Sequence, residues 1–65
     1  MSREKQGFDE NLIRIREVFP GLEALRIGQC AAFLGIDRHT ARRKIRINEQ
    51  TKMVTVVNFA RQISV

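Results

Sequence analysis

Arg38, Arg42, Arg43, Lys44 and Arg46 crowd one short stretch of this 65-residue chain, with no acid among them. Guanidinium groups present a planar fork of donors that matches phosphate oxygens and the O6 and N7 atoms of guanine. A cluster of this kind attracts polyanions, nucleic acid first and an anionic membrane surface second. The other reactive side chains do not assemble into a reaction centre. One His (His39) and one Cys (Cys30) cannot supply the usual four ligands of a zinc site within one chain. His39 has no His, Asp or Cys partner at useful spacing and reads as a polar surface or DNA-contacting group. Cys30 falls on an apolar stripe, where free cysteine behaves as a small hydrophobe. Asp37 is better used as a helix cap, and nothing sets Glu49 beside it for acid–base work. No enzyme activity, cofactor or metal is therefore expected.

The charge is unevenly spread. The chain carries 12 Lys and Arg against 7 Asp and Glu, a formal net charge of +5. Residues 1–36 hold five basic and five acidic residues, whereas residues 37–65 hold seven and two, so the whole excess lies in the second half. Length allows one domain with a thin core, since a chain of this size buries only about 60% of its unfolded surface. A hydrophobic content of 43% suffices for a globular core and exceeds that of a disordered tail. The longest apolar runs are too short to span a bilayer. Residues 1–10 lack the apolar segment of a signal peptide, so the cytoplasm is the expected location.

The elements that must position the basic cluster follow from periodicity. Residues 1–7 read as a loose tail, and residues 8–65 as a single domain. Phe8, Leu12, Ile15 and Phe19 recur at helical spacing, with Ile13 and Val18 widening the stripe, so a helix is expected from Phe8 to Phe19. Asp9 is its expected N-cap, and Pro20-Gly21 ends it. Leu22 to Leu25 form a bridge whose two leucines return to the core. Ile27, Cys30, Ala31 and Leu34 mark a second helix, closed by Gly35 at a position that favours positive φ. Asp37 caps a third, Arg38 to Ile45, whose apolar positions are only Ala41 and Ile45. Short strands over 46–48 and 52–54, around Glu49-Gln50-Thr51, would make a hairpin. Thr55 then caps a last helix, Val56 to Ser64.

Two short helices joined by Gly35-Ile36-Asp37, the second with a narrow apolar stripe and a wide polar face, form a helix-turn-helix pattern. The run Ile27-Gly28-Gln29-Cys30-Ala31-Ala32-Phe33-Leu34-Gly35-Ile36-Asp37-Arg38-His39-Thr40-Ala41-Arg42-Arg43 resembles, without a gap, the helix-turn-helix of MerR-type and phage-excisionase-type DNA-binding proteins. The resemblance implies a mainly α, winged-helix-like fold in which a short β-hairpin wing and a further helix follow the recognition helix. Two positions depart from the pattern. Arg26 stands where the family usually has a Ser or Thr cap, and Arg43-Lys44 stand where it often has an aromatic residue. The helix from Phe8 to Phe19 lies outside the resemblance.

On this reading Arg38 and His39 reach base edges, and Arg42 contacts a base or a phosphate one turn further on. Thr40, Arg43, Lys44 and Arg46 clamp phosphates, and Lys52 reaches the backbone or minor groove from the wing. The expected function is that of an excisionase (recombination directionality factor) or a small transcriptional regulator of a phage or mobile element. One recognition helix makes few contacts, so tandem sites, cooperativity or a dimer are expected. The partners would be double-stranded DNA, with an integrase or recombinase or a second copy of the chain. No leucine heptad offers the coiled coil that MerR-type dimers use. Two other classes fit the charge: an RNA-binding domain, poorly supplied with aromatics for stacking, and an adaptor whose basic helix meets an acidic protein.

Overall fold

The computed structural model describes residues 7–64. They form four helices and a two-stranded sheet in the order α1 (Phe8–Val18), β1 (Ala24–Arg26), α2 (Ile27–Leu34), α3 (Arg38–Lys44), β2 (Met53–Thr55) and α4 (Val56–Gln62). The architecture is mainly α, as expected. The tail assigned to residues 1–7 lies outside the described residues except for Gly7, which caps α1.

α1 begins earlier than a cap at Asp9 would allow. Gly7, at φ 86°, is the N-cap, and its carbonyl accepts the Asn11 N–H at 2.9 Å. Phe8 must enter the core, where it is 8% exposed, and that requires helical geometry from Phe8 onward. Asp9 and Glu10 occupy the first turn instead, where carboxylates complement the helix dipole. Ile15 is fully buried, and Leu12 and Phe19 pack half-buried against the core. Ile13 and Val18 do not widen the stripe: they are 57% and 56% exposed. α1 packs mainly on α4, and one neighbour covers one narrow face.

The stretch before α2 is a strand. β1 pairs antiparallel with β2, setting Ala24 opposite Thr55, Leu25 opposite Val54 and Arg26 opposite Met53. Leu25 and Val54 are both buried, an apolar cross-strand pair on the face turned to the core. Leu22, outside the ladder, is 39% exposed, so only one of the two leucines returns to the core.

This pairing replaces the expected hairpin of 46–48 with 52–54. Residues 46–48 contribute only an isolated bridge, Asn48 to Met53. Their backbone is held by other groups. The Gln62 side-chain amide accepts the Arg46 N–H at 2.8 Å and donates to the Arg46 carbonyl at 2.9 Å. Asn48 Oδ1 accepts the N–H groups of Gln50 (2.8 Å) and Thr51 (3.1 Å), folding the chain into a tight turn. Lys52 completes the turn with φ 61°, donating its N–H to the Asn48 carbonyl at 2.7 Å.

α2 and α3 pack on each other. Gly35 ends α2 at φ 71°, and the Ile36 N–H returns to the Ala31 carbonyl at 3.1 Å, satisfying a carbonyl that the helix leaves open. Asp37 caps α3 as expected, its Oδ1 accepting the Thr40 N–H at 2.6 Å. Ile45 leaves the helix in extended geometry yet stays buried. Thr55 caps α4 through the Asn58 N–H at 3.1 Å. α4 ends at Gln62, short of Ser64, with Val56, Phe59 and Ala60 buried. The core centres on Phe59, Ile15, Leu25, Val56 and Cys30, with Phe33 edge-on to Phe59 at 5.7 Å. No helix of the described residues is long and apolar enough to cross a membrane.

Candidate nucleic-acid interface

α3 shows how seven residues can expose so much charge. Ala41 is the residue it buries, and Ile45 follows just beyond its end. At 3.6 residues per turn, His39 and Arg43 stand opposite Ala41. Arg38 and Arg42 form the row on one flank, and Thr40 and Lys44 the row on the other. Arg38, His39, Arg42, Arg43 and Lys44 are exposed; Thr40 is half-buried beside the cap. The salt bridges among the described residues are Arg16 with Glu23 (3.9 Å) and Lys52 with Glu49 (3.4 Å), so every cation of α3 lacks an acidic partner there.

Sequence reasoning grouped eight residues, and the fold separates them. Arg38, Arg42 and Lys52 line one cleft of about 750 Å³, together with Arg26, Ile27, Gly28 and Gln29 from the start of α2 and Ile47 and Glu49 from the turn. His39 and Arg43 form the outer ridge of α3, with Thr40 and Lys44 on its far flank. Arg46 belongs to a different groove, between the 46–51 segment, the sheet and Asn58.

Six cleft residues were not anticipated, and three of them, Arg26, Gln29 and Gly28, shape it. Arg26 is there because β1 aligns it with Met53, next to Lys52. Its own backbone N–H donates to Gln29 Oε1 at 2.9 Å, so Gln29 supplies the N3 half of a capping box, the bond back to the N-cap N–H. Gly28 leaves room for a guanidinium: a Cβ built on it would sit 3.3 Å from Arg38 Nη2 and 3.5 Å from Nε. The signal for the first lay in a pairing between distant segments. For the other two it lay in a glycine inside a helix and a glutamine three residues after the N-cap.

The titratable groups near the interface are settled by structure. The Asp37 carboxyl is held below its ordinary value of 3.8 by the Thr40 N–H and then by the Thr40 hydroxyl, which favour the charged form. Glu49 faces Lys52 rather than Asp37, so the two acids have separate roles. Burial pushes the Cys30 thiol up to about 11, which suits a packing residue and opposes a nucleophilic one.

Comparison with protein-family models, with characterised proteins and with solved structures returns no match to this chain.

Proposed function

We propose that this chain is a small helix-turn-helix DNA-binding protein that lays α3 in the major groove of duplex DNA. The observation that carries the reading is the exposed face of α3, with cations on all sides of its outer ridge and no acidic partner among the described residues. On this reading His39 and Arg43 face base edges, because they stand farthest from the buried side. Arg42, Arg38 and Lys44 flank them and meet phosphates, as does Lys52 from the turn. The turn over 48–52 takes the place of a hairpin wing beside the groove. Thr40 acts through the cap, and Arg46 reaches the backbone farther along.

The resemblance of residues 27–43 to excisionase-type and MerR-type helix-turn-helices supports the narrower reading of an excisionase or small regulator of a mobile element, acting in the cytoplasm on DNA with a recombinase or a second copy. Stacking on single-stranded RNA has little support. Phe8 and Phe59 are buried, and Phe19 and Phe33 are half-buried against the core.

The test is selection from random duplex DNA at about 50 and 200 mM salt, with sequencing of the bound fraction. An enriched motif with steep salt dependence is expected, and its repetition would reveal cooperative or dimeric use. Salt-sensitive binding with no enrichment would overturn sequence reading, and absence of binding at low salt would overturn DNA binding. Arg43→Ala should relax discrimination at one base pair, by about 1–3 kcal/mol, while Lys44→Ala weakens all sequences alike.

A further inference from the structure

Gly28 and Lys52 are each out of place by the rules of the backbone. Gly28 lies within α2 without positive φ, at a position where alanine is the better helix former. Lys52 adopts φ 61°, a left-handed conformation that favours glycine or asparagine, and is the only non-glycine among the described residues to do so. Strained or disfavoured residues persist where function selects them. These two line the same cleft, with Arg26, Arg38 and Arg42.

The geometry points to a seat for a single phosphodiester of the DNA backbone in this cleft. Gly28 is the residue that lets Arg38 lie back into it. The Arg38 guanidinium rests against Gly28 so closely that a methyl group there would press it outward by a few tenths of an ångström. Lys52 lines the cleft from the turn, its ammonium 3.4 Å from Glu49 Oε1. Glu49 is the one carboxylate lining the cleft among the described residues, and its exposed side chain holds the place on Lys52 that the phosphate takes. Arg38 is thereby assigned to the backbone and not to a base. The assignment rests on the DNA-binding reading and deepens it.

The experiment compares wild type, Gly28→Ala and Gly28→Leu by fluorescence anisotropy on two unrelated 20-base-pair duplexes across a salt series, with a thermal melt of each protein. Gly28→Ala should melt at or above the wild-type temperature while losing about threefold in affinity, because a helix gains what the cleft loses. Gly28→Leu should lose about tenfold or more, on both duplexes alike, with a salt slope smaller by about one. In an Arg38→Ala background the Gly28→Ala loss should vanish. If Gly28→Leu fails to fold, the Gly28→Ala cycle with Arg38→Ala carries the test alone. Wild-type binding with an unchanged Gly28→Ala variant overturns the phosphate seat and leaves DNA binding intact, as does a loss confined to one duplex. Wild type that binds neither duplex at low salt overturns both.

Discussion

Gln62→Ala removes the clamp that holds the chain as it leaves α3. The side-chain amide of Gln62 makes two hydrogen bonds to Arg46, at 2.8 Å to its N–H and 2.9 Å to its carbonyl, as a neighbouring strand would. A neutral hydrogen bond contributes about 0.5–1.5 kcal/mol net. Arg46 is exposed, so water replaces the lost partners and the lower half of that range applies. Two bonds then stabilise the fold by about 1–2 kcal/mol, and alanine returns a few tenths through its helix propensity. The net cost is about 1–1.5 kcal/mol, equivalent to a fall in Tm of roughly 4–12 °C in a domain of this size. Gln62→Glu keeps the acceptor for the Arg46 N–H but loses the donor, and should fall between the two. Thermal melting reads the size of the effect, and amide hydrogen exchange reads its place. The Arg46 amide should lose protection in Gln62→Ala, while the Asn48 amide, bonded to the Met53 carbonyl at 2.8 Å, keeps its own. An unchanged Tm together with unchanged protection at Arg46 would refute the clamp.

Asp37→Ala should lower Tm at neutral pH by uncapping α3, a loss seen by circular dichroism. The folded-state pKa of Asp37 is depressed, so its contribution is present above the ordinary value of 3.8 and is lost as pH falls through the lower folded value. Wild type and variant should therefore converge in strong acid. Cys30 should be inert to a disulfide reagent at pH 8 in the native protein, because its thiol is buried with a pKa of about 11, and should react fully in denaturing urea. Gly35→Ala should destabilise by about 1–2 kcal/mol in urea titration, since φ 71° strains a residue with a Cβ even though open space surrounds the site.

What the sequence discloses is the chemistry that acts within a few residues. Gly35 and Asp37 satisfy adjacent helix ends, so the junction of α2 and α3 was readable from residue type and position alone. Thr55 was readable for the same reason. β1 was not, because three residues form a strand there only when Val54 stands opposite Leu25, far along the chain. The hairpin misreading has the same origin. Residues 46–48 make only the bridge from Asn48 to Met53, because Gln62 and not Met53 to Thr55 takes up the Arg46 backbone. The basic face of α3 was legible in composition, whereas its division into an outer ridge and a cleft was not. That division depends on Arg26 arriving through the sheet and on Gly28 making room for Arg38.

The pairing of β1 with β2 also carries an expectation for the order of folding. The chain from Ile27 to Lys52 is a ring closed at its base by that ladder, with α2, α3 and the Asn48 turn inside it. Closing about 26 flexible residues costs about 3 kcal/mol from the logarithmic length dependence alone, more than a three-residue ladder can repay by itself. Docking α2 on α3 first would shorten the flexible part of the ring, which predicts the helix pair as the nucleus and the sheet as the latch. Changes at Ala31, Gly35 or Ala41 should then slow folding, and changes at Leu25 or Val54 should mainly speed unfolding. On this expectation the surface proposed to meet DNA is built on the part of the chain that organises earliest.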